Sequence, residues 1–345
     1  MNKINYDIEI DRSLIQTEEE MLARWGEFEK PLVSINCITY NHERYIRDAL
    51  DGFLIQKTDF PFEILVHDDA STDRTADIIR EYEKRYPNII KPIYQTENQY
   101  SQGKKCSLFN FERAQGEYIA MCEGDDYWID PLKLGIQISF MLKNPSIHIS
   151  FHKTLEFNEA DGDLKVVCAH KNHDSEISMK EAIEGRGGFM PTPSVIVANK
   201  NTDKLFDSFK NAPIGDFFLQ SFFCLTGKIF YFDRLSSVYR REAKGSWTEK
   251  QNNKKIASKY ACSMVQAIDN FFLHMKDYDG VKYLKKPLGY YFLSCCFSSA
   301  NIRDVFGVFF QKISRIRNVS KIYLTYIFLK KFVVLGMRKI YYMWV

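Results

Sequence analysis

The chain has no uninterrupted apolar stretch long enough to cross a bilayer. Its longest uncharged run, 287–302, is broken by Ser, Asn and Gly and falls short of the about 20 residues a helical span needs. The N-terminal stretch carries Asp7, Glu9 and Asp11 and no apolar core, so it does not read as a signal peptide. Phosphate-cradling glycine motifs are missing. There is no GxxxxGK[ST], and the one glycine cluster, "GRGG" at 185–188, does not follow a strand in a GxGxxG frame. The eight cysteines include no CxxC pair and no paired metal spacing. Cys295 and Cys296 are adjacent, a poor start for a disulfide framework, and reduced thiols in a cytosol are expected. A net charge of +3 is too small to argue for a nucleic-acid partner. These absences exclude a secreted disulfide scaffold, a membrane-spanning chain and a P-loop protein.

What is present suffices for a large core. Aromatics make up 15% of 345 residues and charged residues 26%, which excludes wholesale disorder and leaves room for one large domain or two modest ones. "PLVSINCITYN" (31–41) is apolar and β-branched and reads as a buried strand. "HERYIRDALDGFLIQ" follows with apolar pairs at Tyr45/Ile46, Ala49/Leu50 and Phe53/Leu54, a four-residue step that makes one apolar helix face. "FEILVHDD" is a second strand and "TADIIREYEKRY" a second helix, with Ser71, Thr72 and Asp73 as cap candidates. "IIKPIYQ" is a third strand, placed near an edge because Pro92 has no N–H for a ladder. "CSLFNFERAQ" is a short helix and "GEYIAMC" a fourth strand.

Strands and helices alternating at this spacing imply an α/β fold with a parallel sheet and helices on its faces. Beyond Pro131 the pattern loosens. "IHISFHKTLEFN", "PTPSVIVAN" and "KIFYFDRLSSVYRR" read as strands and "GDFFLQSFFCLTG" as a helix; from about residue 248 the chain reads as mostly helical. A weak boundary is expected near 241–247, where the strands give out.

Ligands of parallel sheets bind beyond the carboxyl ends of the strands. "TYN", "HDDAS" and "EGDD" end the first, second and fourth strands, so three polar clusters are expected on one rim. Acidic residues and glycine are ordinary after strands, where they form turns. Two such clusters on one rim repel, however, unless something cationic lies between them. Mg2+ or Mn2+ is the natural candidate, held by one or two carboxylates and completed by phosphate oxygens and water. The pattern therefore points to a nucleotide diphosphate bound through a metal.

With these pieces in order, "VSINCITYNHERYIRDALDGFLIQ", "EILVHDDASTDRTADII" and "GEYIAMCEGDDYWIDPLKL" resemble a family 2 glycosyltransferase. The resemblance implies a GT-A Rossmann-like sheet, mixed but mostly parallel, flanked by helices and followed by a helical C-terminal extension. It divides the chain into an extension 1–30, a catalytic domain 31–247 and a helical region 248–345. It implies that Thr39 and Tyr40 contact the nucleotide base and that Asp69 accepts from a base ring nitrogen, with Asp68 supporting the turn. Glu123, Asp125 and Asp126 stand where the family has its DxD motif, with Asp125 the preferred metal ligand and Asp126 the second. Glu123 replaces the usual first Asp. Asp216, opening a helix, matches the general base of inverting members, and a helix N-terminus is expected to keep it ionised. "FMPTPSVIV" is expected to line the acceptor side, and Arg240 or Arg241 to fork onto the diphosphate. The loop's usual His is absent, since Glu242 and Ala243 follow the arginines.

After Asp304 no acidic residue occurs, while Lys312, Arg315, Arg317, Lys321, Lys330, Lys331, Arg338 and Lys339 alternate with aromatic and aliphatic runs. Basic residues among Tyr, Trp and Phe suit a helix lying in an anionic membrane interface. The competing expectation is a helix packed on the catalytic domain. His170 and His173, an i, i+3 pair, are expected in an exposed loop and not on zinc. The activity expected is metal-dependent inverting transfer of a sugar from a nucleotide-diphosphate donor to a glycan or lipid-linked acceptor, in surface polysaccharide or lipopolysaccharide assembly. The expected location is cytoplasmic, peripheral at the inner face of the plasma membrane. A nucleotidyltransferase is disfavoured because "TYNHERY" has no glycine for a triphosphate loop; a non-catalytic nucleotide-sugar-binding membrane protein is the third reading.

Overall fold

The structure is a computed structural model. It describes residues 8–344 except 201, 210, 211, 242, 244–253, 298–301, 318 and 320, and side chains within helices are described only as far as residue 332. Most of the expected boundary at 241–247, Trp247 included, lies outside the described residues, as does Glu242; the Arg338 and Lys339 side chains are likewise outside them.

The chain opens with α1 (Glu18–Trp25), started by a reciprocal capping box between Thr17 and Glu20. Next come β1 (Val33–Thr39), α2 (Ile46–Leu54), β2 (Phe62–Asp68), α3 (Thr75–Arg85), β3 (Ile90–Tyr94), α4 (Cys106–Arg113) and β4 (Tyr118–Met121). Every residue of β2 and six of seven in β1 are buried, as a sheet covered on both faces requires. The four strands run parallel in the order β3-β2-β1-β4, with β3, the strand that contains Pro92, at the edge. Of the cap candidates for α3, none is the N-cap residue, which is Arg74; Asp73, just before it, accepts the Thr75 N–H at its Oδ1 at 2.9 Å.

The second half departs from a purely parallel sheet. After β5 (Tyr127–Trp128), α5 (Lys133–Lys143), β6 (Ile147–His152), β7 (Thr154–Asn158), β8 (Leu164–Val167), β9 (Ser175–Ile177) and α6 (Met179–Gly185), strand β10 (Ile196–Ala198) inserts antiparallel between β4 and β6. The eight-stranded sheet is therefore mixed. Helices α7 (Thr202–Phe209) and α8 (Asp216–Thr226) follow. The stretch 228–241, expected as one strand, is two: β11 (Lys228–Phe232) pairs in the large sheet and β12 (Ser237–Arg241) in a second sheet with β5 and β7. The segment 233–236 breaks the run, and Asp233 and Arg234 there pair with Lys153 and Asp130 instead of extending a ladder.

Two apolar cores flank the sheet. One packs α1, α2, α3 and α5 on the parallel half, with Phe53 edge-on to Trp128. The other joins Phe217, Phe218, Phe222 and Phe223 of α8 to α9 (Lys254–His274), α10 (Lys285–Cys296), α11 (Ile302–Arg315) and α12 (Lys321–Trp344). Each fully buried Phe contributes about 1.5–3 kcal/mol by burial, so α8 is held firmly and its first residue with it. The expectation of reduced thiols is corrected at one pair: Cys262 and Cys295 form a disulfide between α9 and α10. Helix packing brings them to a Cα separation of 5.0 Å across 33 positions, a neighbourhood that residue spacing does not reveal.

Candidate active site

Strand β1 is the axis of the site. Its Thr39 pairs in register with Asp68 of β2, and its carbonyls hold the turns on either side. Thr39 O accepts the Asp69 N–H at 3.0 Å, Ile38 O the Gly124 N–H at 2.9 Å, and Asn36 O the Cys122 N–H at 3.2 Å. Two acidic turns, 55 positions apart between Asp69 and Gly124, thus share one short stretch of backbone. Gly124 is required there: a Cβ would meet Thr39 Cβ at 2.8 Å and His42 Nδ1 at 3.1 Å.

Beyond Gly124, Glu123, Asp125 and Asp126 each bring a carboxylate oxygen to within 4.8 Å of the others. The Arg240 N–H donates to Asp126 Oδ1 at 2.8 Å, while Asp126 Oδ2 is buried with no hydrogen-bond partner. Burial pushes the Asp126 pKa well above the usual carboxylate range, and Asp125 and Glu123 push it further. Glu123 is pushed up by burial, then by Asp216 and Asp125. An orphaned buried oxygen among like charges is the environment a hard divalent cation relieves, and an all-oxygen donor set suits Mg2+ or Mn2+.

Asp216 begins α8 beside this cluster and is open to solvent. The backbone N–H at the helix start lowers its pKa, as expected, and so does the nearby Lys105; desolvation of the carboxyl outweighs both and sets the net shift upward. The Lys105 ammonium is itself destabilised by burial, with Asp216 in opposition. Tyr239 of β12 feels Asp126, Glu123, Asp125 and Asp216 together; burial first and these charges second raise its pKa, so its hydroxyl remains a donor.

The opposite flank of the rim is built by the first two strand ends. Tyr40 stands 43% exposed, while Thr39 is buried with its Oγ1 unpartnered. Asn41 and Ala70 adopt left-handed backbone (φ 56° and 60°), tolerable for Asn and strained for Ala. Ser71 Oγ donates to Asp68, and the Asn41 N–H donates to Ser71 Oγ at 2.8 Å, so Asp68 supports the turn. Asp69 accepts the N–H groups of Gln99 and Tyr100 at 2.7 and 3.0 Å, anchoring the loop between β3 and α4.

Arg240 is placed differently from expectation. Its guanidinium donates to Asp48 and to Asp125 O (2.9 Å), pairs with Glu159 at 3.2 Å and stacks over Tyr127 at 4.3 Å. Ringed by these partners, it braces the acidic turn and has no free fork for a diphosphate. Arg241 is exposed and lies 3.5 Å from Glu156. The segment 189–197 borders α8, with Met190 O accepting from Gln220 at 2.8 Å. Sequence reasoning missed three residues here. His42 Nε2 lies 3.9 Å from Asp125 Oδ2, and only its place directly after the first strand signalled it. Lys105 carried no signal, and Tyr239 only its place beside Arg240 in the stretch that resembles the family's Tyr-Arg loop. His170 stacks on Phe189 at 3.8 Å and bonds its carbonyl; His173 bonds Asn172.

A mixed α/β sheet with acidic turns at the carboxyl ends of its parallel strands is the architecture of GT-A proteins. S. aureus TarS 1–349, solved in complex with UDP-GlcNAc, matches with a TM-score of 0.59 over 83% of this chain and 81% of that one. At 16% identity the likeness is one of fold. Residues 34–174 match the family described as Glycosyl transferase family 2. An uncharacterized Mycobacterium tuberculosis protein is 36% identical over 219 residues, covering 62% of this chain and 60% of that one. The putative teichuronic acid biosynthesis glycosyltransferase TuaG of Bacillus subtilis is 38% identical over 114 residues, 33% of this chain and 43% of its own. The chain thus spans less than two thirds of the length of these relatives.

Proposed function

We propose that this protein is an inverting, metal-dependent glycosyltransferase that moves a sugar from a nucleotide-diphosphate donor to an acceptor hydroxyl. The observation that carries the reading is Glu123, Asp125 and Asp126 gathered beside Asp216 at the end of the parallel strands. In it, residues 31–247 are the catalytic unit and 248–345 a helical annex. Asp125 and Asp126 would hold Mg2+ or Mn2+, which when bound stabilises negative charge on a departing diphosphate. Thr39, Tyr40 and the turn at Asp68 and Asp69 form the base side. Asp216 takes the proton from the acceptor hydroxyl as that oxygen attacks the anomeric carbon opposite the diphosphate. Its raised pKa makes it a stronger base than an ordinary Asp. The deciding experiment is a thermal-shift screen of UDP-, GDP- and dTDP-sugars with and without Mn2+, followed by turnover. Unchanged turnover in both Asp125→Ala and Asp216→Ala would falsify the assignment.

The acceptor side of the reading is a glycan or lipid-linked hydroxyl at an anionic membrane, in surface-polysaccharide assembly. The relative TuaG carries a name of that kind. Among the described residues no helix is long and apolar enough to cross a membrane. Phe310, Ile322, Tyr326 and Leu329 are exposed on α11 and α12, and Lys312, Lys321, Lys330 and Lys331 lie on the same two helices. Such a surface binds by apolar insertion plus attraction to anionic headgroups. Sedimentation with phosphatidylserine-containing vesicles, absent with phosphatidylcholine alone and lost in Lys330→Glu/Lys331→Glu, is expected. Equal recovery with both lipids removes the anionic headgroups from the reading, and no recovery with either removes the membrane.

A further inference from the structure

The same rim carries a second set of ligating side chains. His67, Asp69 and Cys106 each place one ligand atom within 4.8 Å of the others, and all three are buried. They share no residue with the acidic cluster and differ from it chemically, offering imidazole nitrogen, carboxylate oxygen and thiol sulfur.

His67 is the telling member. It is 0% exposed, near the end of the fully buried strand β2, and neither ring nitrogen has a hydrogen-bond partner. A buried polar group left unpaired costs about 1–3 kcal/mol, so this arrangement calls for a ligand. Its Nε2 lies 3.6 Å from Asp69 Oδ1, too long for a hydrogen bond and close to the edge of a coordination tetrahedron whose bonds are about 2.0–2.1 Å. Cys106 is the first residue of α4, and its thiol sulfur lies within 4.8 Å of an Asp69 carboxylate oxygen. The Asp69 oxygens already accept from Gln99 and Tyr100, which fixes the carboxylate in place as outer partners fix a metal ligand. The His67 ring lies against Phe109 at 4.8 Å, which fixes it as well.

We propose that His67, Asp69 and Cys106 bind a borderline-soft divalent ion, Zn2+ foremost, at a site separate from the hard-ion cluster. Binding takes neutral imidazole and the thiolate, so the Cys106 proton leaves to solvent as the Zn–S bond forms. Three protein ligands leave a fourth position for water. Because Asp69 also anchors the loop between β3 and α4, the ion fastens β2, that loop and α4 into one wall beside Tyr40.

Cobalt titration of the full chain, stripped by chelator and handled anaerobically, tests this. A thiolate-to-cobalt charge-transfer band in the near ultraviolet is expected, saturating near one equivalent. It should vanish in Cys106→Ser, survive in Cys168→Ser, and require at least roughly ten-fold more metal in His67→Gln. No band in the unmutated chain, or a band that persists in Cys106→Ser, overturns the proposal. Should Cys106→Ser fail to fold, zinc-edge absorption on the Cys168→Ser chain decides: a sulfur neighbour in the zinc shell supports the site, and a shell of oxygen and nitrogen alone overturns it.

Discussion

The Arg240 backbone N–H meets Asp126 Oδ1 at 2.8 Å across 114 positions of sequence, and its side chain reaches the carbonyl of Asp125. One residue of β12 thereby clamps both neighbours of the acidic turn while Asp48 and Glu159 neutralise it. Removing one partner of a buried ion pair costs about 3–5 kcal/mol. Arg240→Ala is expected to lose stability on that scale in urea unfolding. Arg240→Lys, which keeps charge without the planar fork, should lose less stability yet still bind Mn2+ more weakly than the parent. An Arg240→Ala chain as stable as the parent would remove the clamp.

Asp125→Asn and Asp126→Asn remove charge without changing shape. Loss of metal stabilisation worth several kcal/mol corresponds to a fall in turnover of at least about 100-fold. Isothermal titration with Mn2+ should show the binding heat reduced in each single variant and gone in the pair. Retained heat in the double variant would move the ion elsewhere.

On the proposed function, Asp216→Asn should lower kcat by about 10^2 to 10^4 while the donor still binds, since a base acts in the chemical step. The sign of the pH dependence follows from the raised pKa. The base works only when ionised, so kcat/KM should climb with pH along an acid limb set above the ordinary Asp value of 3.8. That limb should disappear from the residual activity of Asp216→Asn; an identical limb there would assign it to another group.

Metal-free protein should gain stability as pH falls toward the carboxylate range. Glu123, Asp126 and Asp216 all have folded pKa values raised above 4.5, 3.8 and 3.8. The folded state therefore binds protons that the unfolded state has released, and that contribution fades as pH rises through the folded values. In chelator, the melting temperature of the parent, measured against that of the Asp126→Asn chain, should drop as pH rises above the ordinary carboxylate values, and saturating Mn2+ should flatten that difference by replacing the protons. A difference that moves in the parent's favour as pH rises in chelator would reverse the sign.

Much of this architecture was legible in the residues. The alternation of β-branched runs with four-step apolar helices gave β1 to β4 in order, and Pro92 marked the edge strand because a missing N–H is a local property. The acidic turns were visible for the same reason: they directly follow the runs that end at Thr39, Asp68 and Met121. What stayed hidden depends on distant partners. Nothing local to Arg240 indicates Asp48 or Glu159, and nothing near Asp216 indicates that Glu123 and Lys105 lie within electrostatic reach of it. β10 reads as a strand, but its direction is decided by where β4 and β6 leave a gap. Cys262 and Cys295 meet because two helices pack, which spacing alone does not encode.

Substitutions around the rim have an uneven field to work in. Tyr40 stands on the open lip, 43% exposed. Gly124 does not tolerate exchange, because even a methyl group would drive into Thr39 and His42. A larger residue there would prise the fourth strand's turn off the first, and the partner anchored through Thr39 O on the other flank would shift with it. Variation is therefore best sown on the solvent-facing lip and kept away from the seam.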